Sequence, residues 1–345
     1  MDLSKISAST EANVIGKRSS YFARILFAGV ALGCTMWSEG AVAQYPNRLI
    51  KLIVPYVAGG PSDMVARAIA DKLSISLKQP LVIENRPGAG GNIGTDVVAK
   101  AAPDGHTLGL VVNTTLTVNP SLYKNMPFDA DRDITPVSIV GTGGQILIVH
   151  PSMPVRSVTE FVAFAKSAAA KKEPIAYASA GNGTASHLTM EYFRLHAGFE
   201  AIHVPYRSVA PLVVDLLAGQ VKVAFVGTSV IVDHVQASRL NGLGVSHDSR
   251  APLVPDVPTI AESGYPGFKI ETFSILLAPA GLPEPIARIL EREVQAALKL
   301  PDMAERFRLM DTVPVGLIGP EVRERIKVDR DVWSKVLAAA NLRLD

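Results

Sequence analysis

Cysteine is nearly missing from this chain: Cys34 is the only one among 345 residues. That excludes an internal disulfide framework and a cysteine-rich zinc site. Aromatic residues are scarce at 6%, and neither sign of charge accumulates, because 34 basic residues face 32 acidic ones for a net charge of +2. Without a basic field there is no electrostatic footprint for nucleic acid. No apolar run is long enough to span a bilayer as a stable helix. What the chain does have is 48% hydrophobic residues and 27 glycines, in a length that suits two α/β lobes better than one small core.

The N-terminus reads as a targeting segment. Lys17, Arg18 and Arg24 form a basic region, Ile25 to Trp37 a short apolar stretch, and Ala41-Val42-Ala43 a small-x-small cleavage site before Gln44. Residues 1–43 are therefore expected to be a cleaved signal peptide, with a periplasmic product. The minor alternative is lipoprotein anchoring at Cys34, in the imperfect box Ala31-Leu32-Gly33-Cys34. Cleavage after Ala43 leaves a cysteine-free chain, which is safe in an oxidising compartment.

Past Gln44 the pattern alternates. Leu49 to Val54 reads as a buried parallel strand, and Val65, Ile69, Leu73 and Leu77 recur at helical spacing. Further strands are expected at 81–83 and 108–112, with a helix at 95–101 between them. This β-α-β-α-β order implies a parallel sheet with right-handed crossovers. A second series follows: helices at 158–169, 184–196 and 211–217, and strands at 175–179, 202–204, 221–226 and 243–245. The capping box Thr259-Ile260-Ala261-Glu262 predicts a short helix. A strand at 275–278 and helices at 285–298, 302–310 and 320–340 close the chain. The absence of a low-complexity linker fits interleaved lobes joined by hinge strands, with crossings near 137–149 and 271–279. The expected division is lobe 1 at 44–140 and 273–345, and lobe 2 at 141–272.

Two segments share one design. In Tyr56-Val57-Ala58-Gly59-Gly60-Pro61-Ser62-Asp63 a strand ends, a small-residue loop follows, and a helix begins with Pro61 at its first position. In Ser179-Ala180-Gly181-Asn182-Gly183-Thr184 the same happens, with Thr184 as the N-cap. Helix N-termini offer unpaired N–H donors and partial positive charge, so they hold anions without a cationic side chain. In open α/β sheets such ligands sit at the carboxyl ends of the strands. His187, on the helix after the second loop, reads as a packing histidine, with ligand contact as the alternative.

Enzyme motifs fail. Gly88-Ala89-Gly90-Gly91-Asn92-Ile93-Gly94 mimics a dinucleotide loop, but Ile93 stands at the third glycine of G-x-G-x-x-G. There is no G-x-S-x-G elbow. Ser246-His247-Asp248 is a run of neighbours, which cannot relay a proton as a triad does. The chain is expected to be no enzyme and to need neither cofactor nor metal.

The segments VPYVAGGPSDMVAR (54–67), ENRPGAGGNIG (84–94), SAGNGTASHL (179–188), HVPYRSVAPLVVDLLAGQ (203–220) and PDVPTIAESG (255–264) resemble the receptors of tripartite tricarboxylate transporters, the Bug-type family. The resemblance covers essentially all of the chain after the leader. It implies a two-lobed periplasmic binding-protein clamshell, type II-like, that closes on a small organic carboxylate and delivers it to an inner-membrane permease. It implies a monomer, and a signalling receptor without transport as the alternative role. By resemblance the loops 56–63 and 179–184 clasp a carboxylate, Tyr206 stands in the Val-Pro-Tyr motif, and Phe225 and Val226 occupy the place where the family often has Phe-Asp. With valine in place of that aspartate, the expected ligand has an uncharged, partly apolar far end. Val57 and Arg207-Ser208-Val209 also depart from the family pattern.

Overall fold

The computed structural model describes residues 45–340 and 342. The expected signal peptide, its cleavage site and Cys34 lie outside the described residues. No helix among the described residues is long and apolar enough to cross a membrane.

The expected opening series is present: β1 (Ile50–Val54), α1 (Pro61–Ser76), β2 (Leu81–Asn85), α2 (Asn92–Ala99) and β3 (Thr107–Val112). β1 pairs parallel to both β2 and β3. The glycine run before α2 has a structural use. Gly91, at φ 96°, is the N-cap of α2, and a Cβ on Gly94 would lie 2.7 Å from the Pro55 side chain. Glycine is needed there for backbone shape and close packing.

Two single turns, α3 (Thr114–Thr117) and α4 (Asn119–Leu122), lead to β4 (Ile134–Gly143) and β5 (Gln145–Val149). Then come α5 (Val158–Ala170), β6 (Ile175–Ser179), α6 (Ala185–Ala197), β7 (Ala201–Pro205), α7 (Val209–Leu217), β8 (Val223–Gly227), α8 (Thr228–Gln236) and β9 (Asn241–Val245). The chain finishes with β10 (Thr272–Pro279), α9 (Glu284–Leu298), α10 (Pro301–Leu309), β11 (Thr312–Ile318) and α11 (Pro320–Ala339). α8, β11 and the two turns were not expected. At Thr259 the capping box does form, with Thr259 N–H on Glu262 at 2.7 Å and Glu262 N–H on Thr259 Oγ1 at 2.9 Å, but it closes a turn and starts no helix. The segment runs straight on to Gly264 at φ 99° and Pro266, too short a stretch for a second turn of helix.

The strands make two sheets, ordered β11-β4-β10-β3-β1-β2 and β7-β6-β8-β5-β9. They are the floors of two lobes. The second sheet is buried on both faces, and its strands alternate between two cores as a pleat requires. Leu147, Val149, Tyr177, Val223 and Phe225 face one core, and Ile146, Ile148, Ala178, Ala224 and Val226 face the other. The first sheet sends Ile53, Val111, Ile139, Ile275 and Leu277 into a third core.

The chain passes from the first sheet to the second between Gly143 and Gln145, and returns between Val245 and Thr272. Ser246, fully buried, fastens the two passages together. Its Oγ accepts from Gln145 N–H at 2.9 Å and donates to Ile270 C=O at 2.8 Å, while Ile270 N–H returns a bond to Ser246 C=O. Antiparallel pairing of Gly143 with Thr272 and with Thr312 brings three strand ends to one place. α11 crosses both lobes. Val322 and Ile326 enter the first-lobe core, and Trp333, Val336 and Leu337 enter the second.

Candidate functional site

A cavity of about 210 Å3 opens where the strand ends of the two lobes meet. Its first-lobe wall is Pro61, Ser62 and Val65 from the start of α1, with Val112, Thr272, Phe273 and Ser274. Its second-lobe wall is Ala185, the first residue of α6, with Gly227, Thr228 and Ser229 at the start of α8. The passage Gly143-Gly144-Gln145 and the turn Met310-Asp311-Thr312 form its floor. Three helix N-termini from two lobes therefore converge on one space. Their first-turn N–H groups have no intrahelical acceptor.

The loop before α1 is braced from inside. Gly60 is the N-cap and Pro61 the first helical residue, as expected. The buried Asp63 carboxylate accepts from Gly59 N–H at 2.8 Å, Arg67 Nε at 2.8 Å and Asn85 Nδ2 at 2.9 Å. Burial pushes its pKa up, but Arg67 and the other donors outweigh burial and hold it below the usual carboxylate range. Tyr56 Oη accepts from Val112 N–H and shares a hydrogen with Thr115 Oγ1, both at 2.9 Å. Burial raises its pKa. Gly59 N–H, Asp63 and Tyr56 are thus occupied by the protein itself. Ala58 is exposed, and Ser62 is the member of this loop that lines the cavity with Pro61. Asp63→Asn is expected to cost about 1–2 kcal/mol in urea unfolding, since one charge-assisted acceptor is lost while the half-exposed Arg67 is screened. A loss below a few tenths of a kcal/mol would show that the loop does not depend on this carboxylate.

The second loop is braced by a stack of rings. Tyr177, His203 and His187 lie face to face, with centroid distances of 5.0 and 3.8 Å. Ser179 Oγ sits 2.6 Å from His203 Nε2 and accepts from Gly181 N–H at 3.1 Å. Ala180 N–H is bound by Ser186 Oγ at 2.9 Å, and Gly183 N–H by His187 Nδ1 at 3.1 Å. Thr184 does occupy the N-cap position, but its hydroxyl makes no cap. It donates to Gly181 C=O at 2.7 Å, because Gly181, at φ 129°, turns its carbonyl toward it. Asn182 is exposed and, with Gly183 and His187, borders a separate hollow beyond the loop. Beneath the stack Tyr177 Oη donates to Glu191 at 2.6 Å, and Arg194 Nε donates to the other carboxylate oxygen at 2.7 Å.

Three other candidates sit away from the cavity. Tyr206 donates to Asp215 at 2.7 Å and holds Ser179 C=O through its amide; burial and that carboxylate push its pKa up to about 12. Phe225 and Val226 fill the two cores of the second lobe, because the pleat of β8 aims both inward. The strand reaches the cavity only at its end, Gly227.

Sequence reasoning missed Gly227-Thr228-Ser229. The signal was there: a strand, a glycine and two hydroxyl residues before a helix repeat the design of the other two loops. It missed Gln145 and Asp311, which no local pattern marks.

Residues 65–333 match the family model described as tripartite tricarboxylate transporter family receptor. The protein BugT of Bordetella pertussis is 35% identical over 301 residues, covering 87% of this chain and 91% of that one. A protein of Pseudomonas sp. from the tcbD-tcbE intergenic region is 35% identical over 322 residues, with 92% and 95% coverage. Among solved structures, the periplasmic binding protein BugD is 32% identical with a TM-score of 0.74, covering 87% of this chain and 99% of its own. A protein of R. palustris solved with adipate is 31% identical with a TM-score of 0.77, covering 87% and 99%. MatC of Rhodopseudomonas palustris, with bound malate, is 29% identical with a TM-score of 0.71, covering 85% and 100%.

Proposed function

Because this chain belongs to the tripartite tricarboxylate transporter receptor family, we propose that it is a periplasmic solute-binding receptor that captures a small carboxylate between its lobes and hands it to a membrane permease. The observation that carries the reading is the convergence of three helix N-termini, from both lobes, on one cavity. Such termini stabilise an anion through backbone N–H groups and the helix dipole. Each charge-assisted bond contributes about 1.5–3 kcal/mol, so three or four support a micromolar complex once ordering costs are met. The bound adipate and malate of two related structures support a carboxylate as cargo.

In this reading the loops 56–63 and 179–184 hold the helix starts in position, while Ser62 and the first-turn amides of α1, α6 and α8 meet the ligand. The lobes are 44–140 with 273–345, and 141–272. They close about the passages fastened by Ser246. Residues 1–43 act as the export signal.

A thermal-shift screen of adipate, malate and other small carboxylates tests the proposal. Ligand at about a hundred times its Kd adds roughly 2.7 kcal/mol, which raises the melting temperature by about 5 °C or more. Small-angle scattering with the best ligand is expected to show compaction. No shift with any carboxylate would overturn the receptor reading, and identical scattering curves at saturation would overturn closure.

A further inference from the structure

The wall of the cavity carries no positive side chain. None of the described residues that line it is Lys, Arg or His, and Asp311 alone among them is ionisable. Asp311 is 6% exposed, and burial raises its pKa against the pull of Thr228, the Leu253 amide and His247. Neutral, it adds nothing positive to the space; ionised, it adds a negative charge. Cations close by along the chain are already paired. Arg67, on the helix that begins at the cavity, is held by Asp63 at 2.8 Å. Lys269 and Arg325 are held by Glu271, the residue before Thr272.

The positive field is therefore that of the three helix N-termini. Each is equivalent to about half an elementary charge, so together they offer roughly one and a half. One carboxylate uses most of it. A second would leave water for the cavity without a counter-charge, and burying an unpaired charge is costly.

What the wall does offer is neutral hydrogen-bonding groups. Ser274 on β10 and Ser229 on α8 line the cavity from the two lobes. Their hydroxyls make no hydrogen bond among the described residues and are not sealed from the space. Thr272 and Thr312, by contrast, donate to the carbonyls of Gly143 and Met310. Gln145 is only 7% exposed, and its side-chain amide has no hydrogen-bond partner among the described residues. Its Oε1 is sealed, whereas the other end of the amide, Nε2, is not. Native structures pair nearly all buried polar groups, so an unpartnered amide in the wall of a cavity points to a ligand.

We propose that the cavity selects carboxylates of a single negative charge whose far end carries a neutral polar group, and that Gln145 reads that group. The inference rests on the receptor reading above and narrows its ligand class. A serine hydroxyl donates and accepts, and a carboxamide does both through its two ends, so a hydroxyl or a carboxamide on the ligand suits this wall. Val226 fills a core and has no part in the selection. Adipate and malate, named with the related structures, carry two carboxylates and are expected to be poor ligands here.

Calorimetry on the exported chain at neutral pH tests the selection with matched acids: succinamate, succinate and butyrate, then adipamate, adipate and hexanoate. The wild type is expected to bind the amide member of each series at least about ten-fold more tightly than the other two. Gln145→Met keeps the length of the side chain and drops its amide. It is expected to cut the advantage of the amide over the plain acid to about two-fold or less. Ser229→Lys places a cation in the wall and is expected to raise the affinity for the dicarboxylates at least about ten-fold. Dicarboxylates bound by the wild type as tightly as their amides would overturn selection by charge and leave the receptor reading standing. An advantage of the amide that survives Gln145→Met would overturn the role of Gln145. Failure of all six acids to bind would overturn this ligand class; the receptor reading would survive if the thermal-shift screen finds another carboxylate, and fall with it if the screen finds none.

Discussion

Trp333→Ala is expected to lower the unfolding free energy by about 3–5 kcal/mol. Trp333 is 2% exposed and lies on α11 where that helix leaves the first lobe and enters the core of the second. Its neighbours there include Tyr192, at a centroid distance of 6.5 Å. Val322, Ile326, Trp333, Val336 and Leu337 share one face of α11, and the first two belong to the other lobe's core. Removing the indole leaves a cavity at the second-lobe end of the helix, in the core that α11 shares with α6. Urea unfolding followed by circular dichroism measures the effect. Trp333→Phe, which keeps a ring in the same place, is expected to recover at least half of the loss. A loss under about 1 kcal/mol in Trp333→Ala would show that α11 does not bind the two lobes together.

Acid is expected to weaken the second lobe through His187. Burial, and then the neighbouring His203, depress the pKa of this imidazole to about 4, against roughly 6.5 in an unfolded chain. Above pH 6.5 both states are neutral, and the histidine's contribution to stability is fully present. As pH falls from about 6.5 towards 4, the unfolded chain takes up a proton that the native one refuses, so stability drops. The total is about 3 kcal/mol at 1.36 kcal/mol per unit, complete once the native imidazole also titrates. His203 is depressed as well, also chiefly by burial, and acts with the same sign. Protonation of His187 also turns Nδ1 into a donor, and the bond from Gly183 N–H is lost. Native His187 takes up its proton only as pH falls through about 4, so the loop that positions α6 should loosen, and ligand affinity fall, at the acid end of that window and below. Urea melts at intervals from pH 7 to pH 4.5 measure the slope. His187→Phe keeps a ring against His203 but cannot titrate, so it should flatten most of the slope, at the cost of an acceptor for Gly183. Parallel stability profiles for the wild type and His187→Phe would sink the idea.

Much of this was legible in the sequence. The alternation of apolar runs with helical spacing between Leu49 and Val112 gave the first half-sheet, because period and burial are local properties of a strand or helix. Pro61 marked a helix start correctly, because its constraint acts on φ and on a missing N–H within one residue. The two glycine loops were placed next to helix starts for the same reason. The family segments identified the architecture. What failed were the readings that needed a neighbour from far along the chain. The hydroxyl of Thr184 looked like a cap until Gly181 turned its carbonyl toward it. Val226 looked like the floor of a ligand pocket until the pleat of β8 sent it into a core.

The amino-acid order by itself determined most of the strands and helices, two of the three helix starts at the cavity, and which family the chain belongs to. Each of these is written in spacing, in turn residues, or in a run of matched segments. Only the tertiary structure decided which helix starts share a cavity and what else faces it. Gln145, Thr228 and Asp311 are separated by 83 residues or more in sequence, and no periodicity links them. They meet because two passages of chain, fastened by Ser246, bring the ends of β4, β10 and β11 beside the start of α8. The set of side chains that lines a cavity, and with it the charge a ligand meets there, has no signature in a sequence, because both are properties of the assembled lobes.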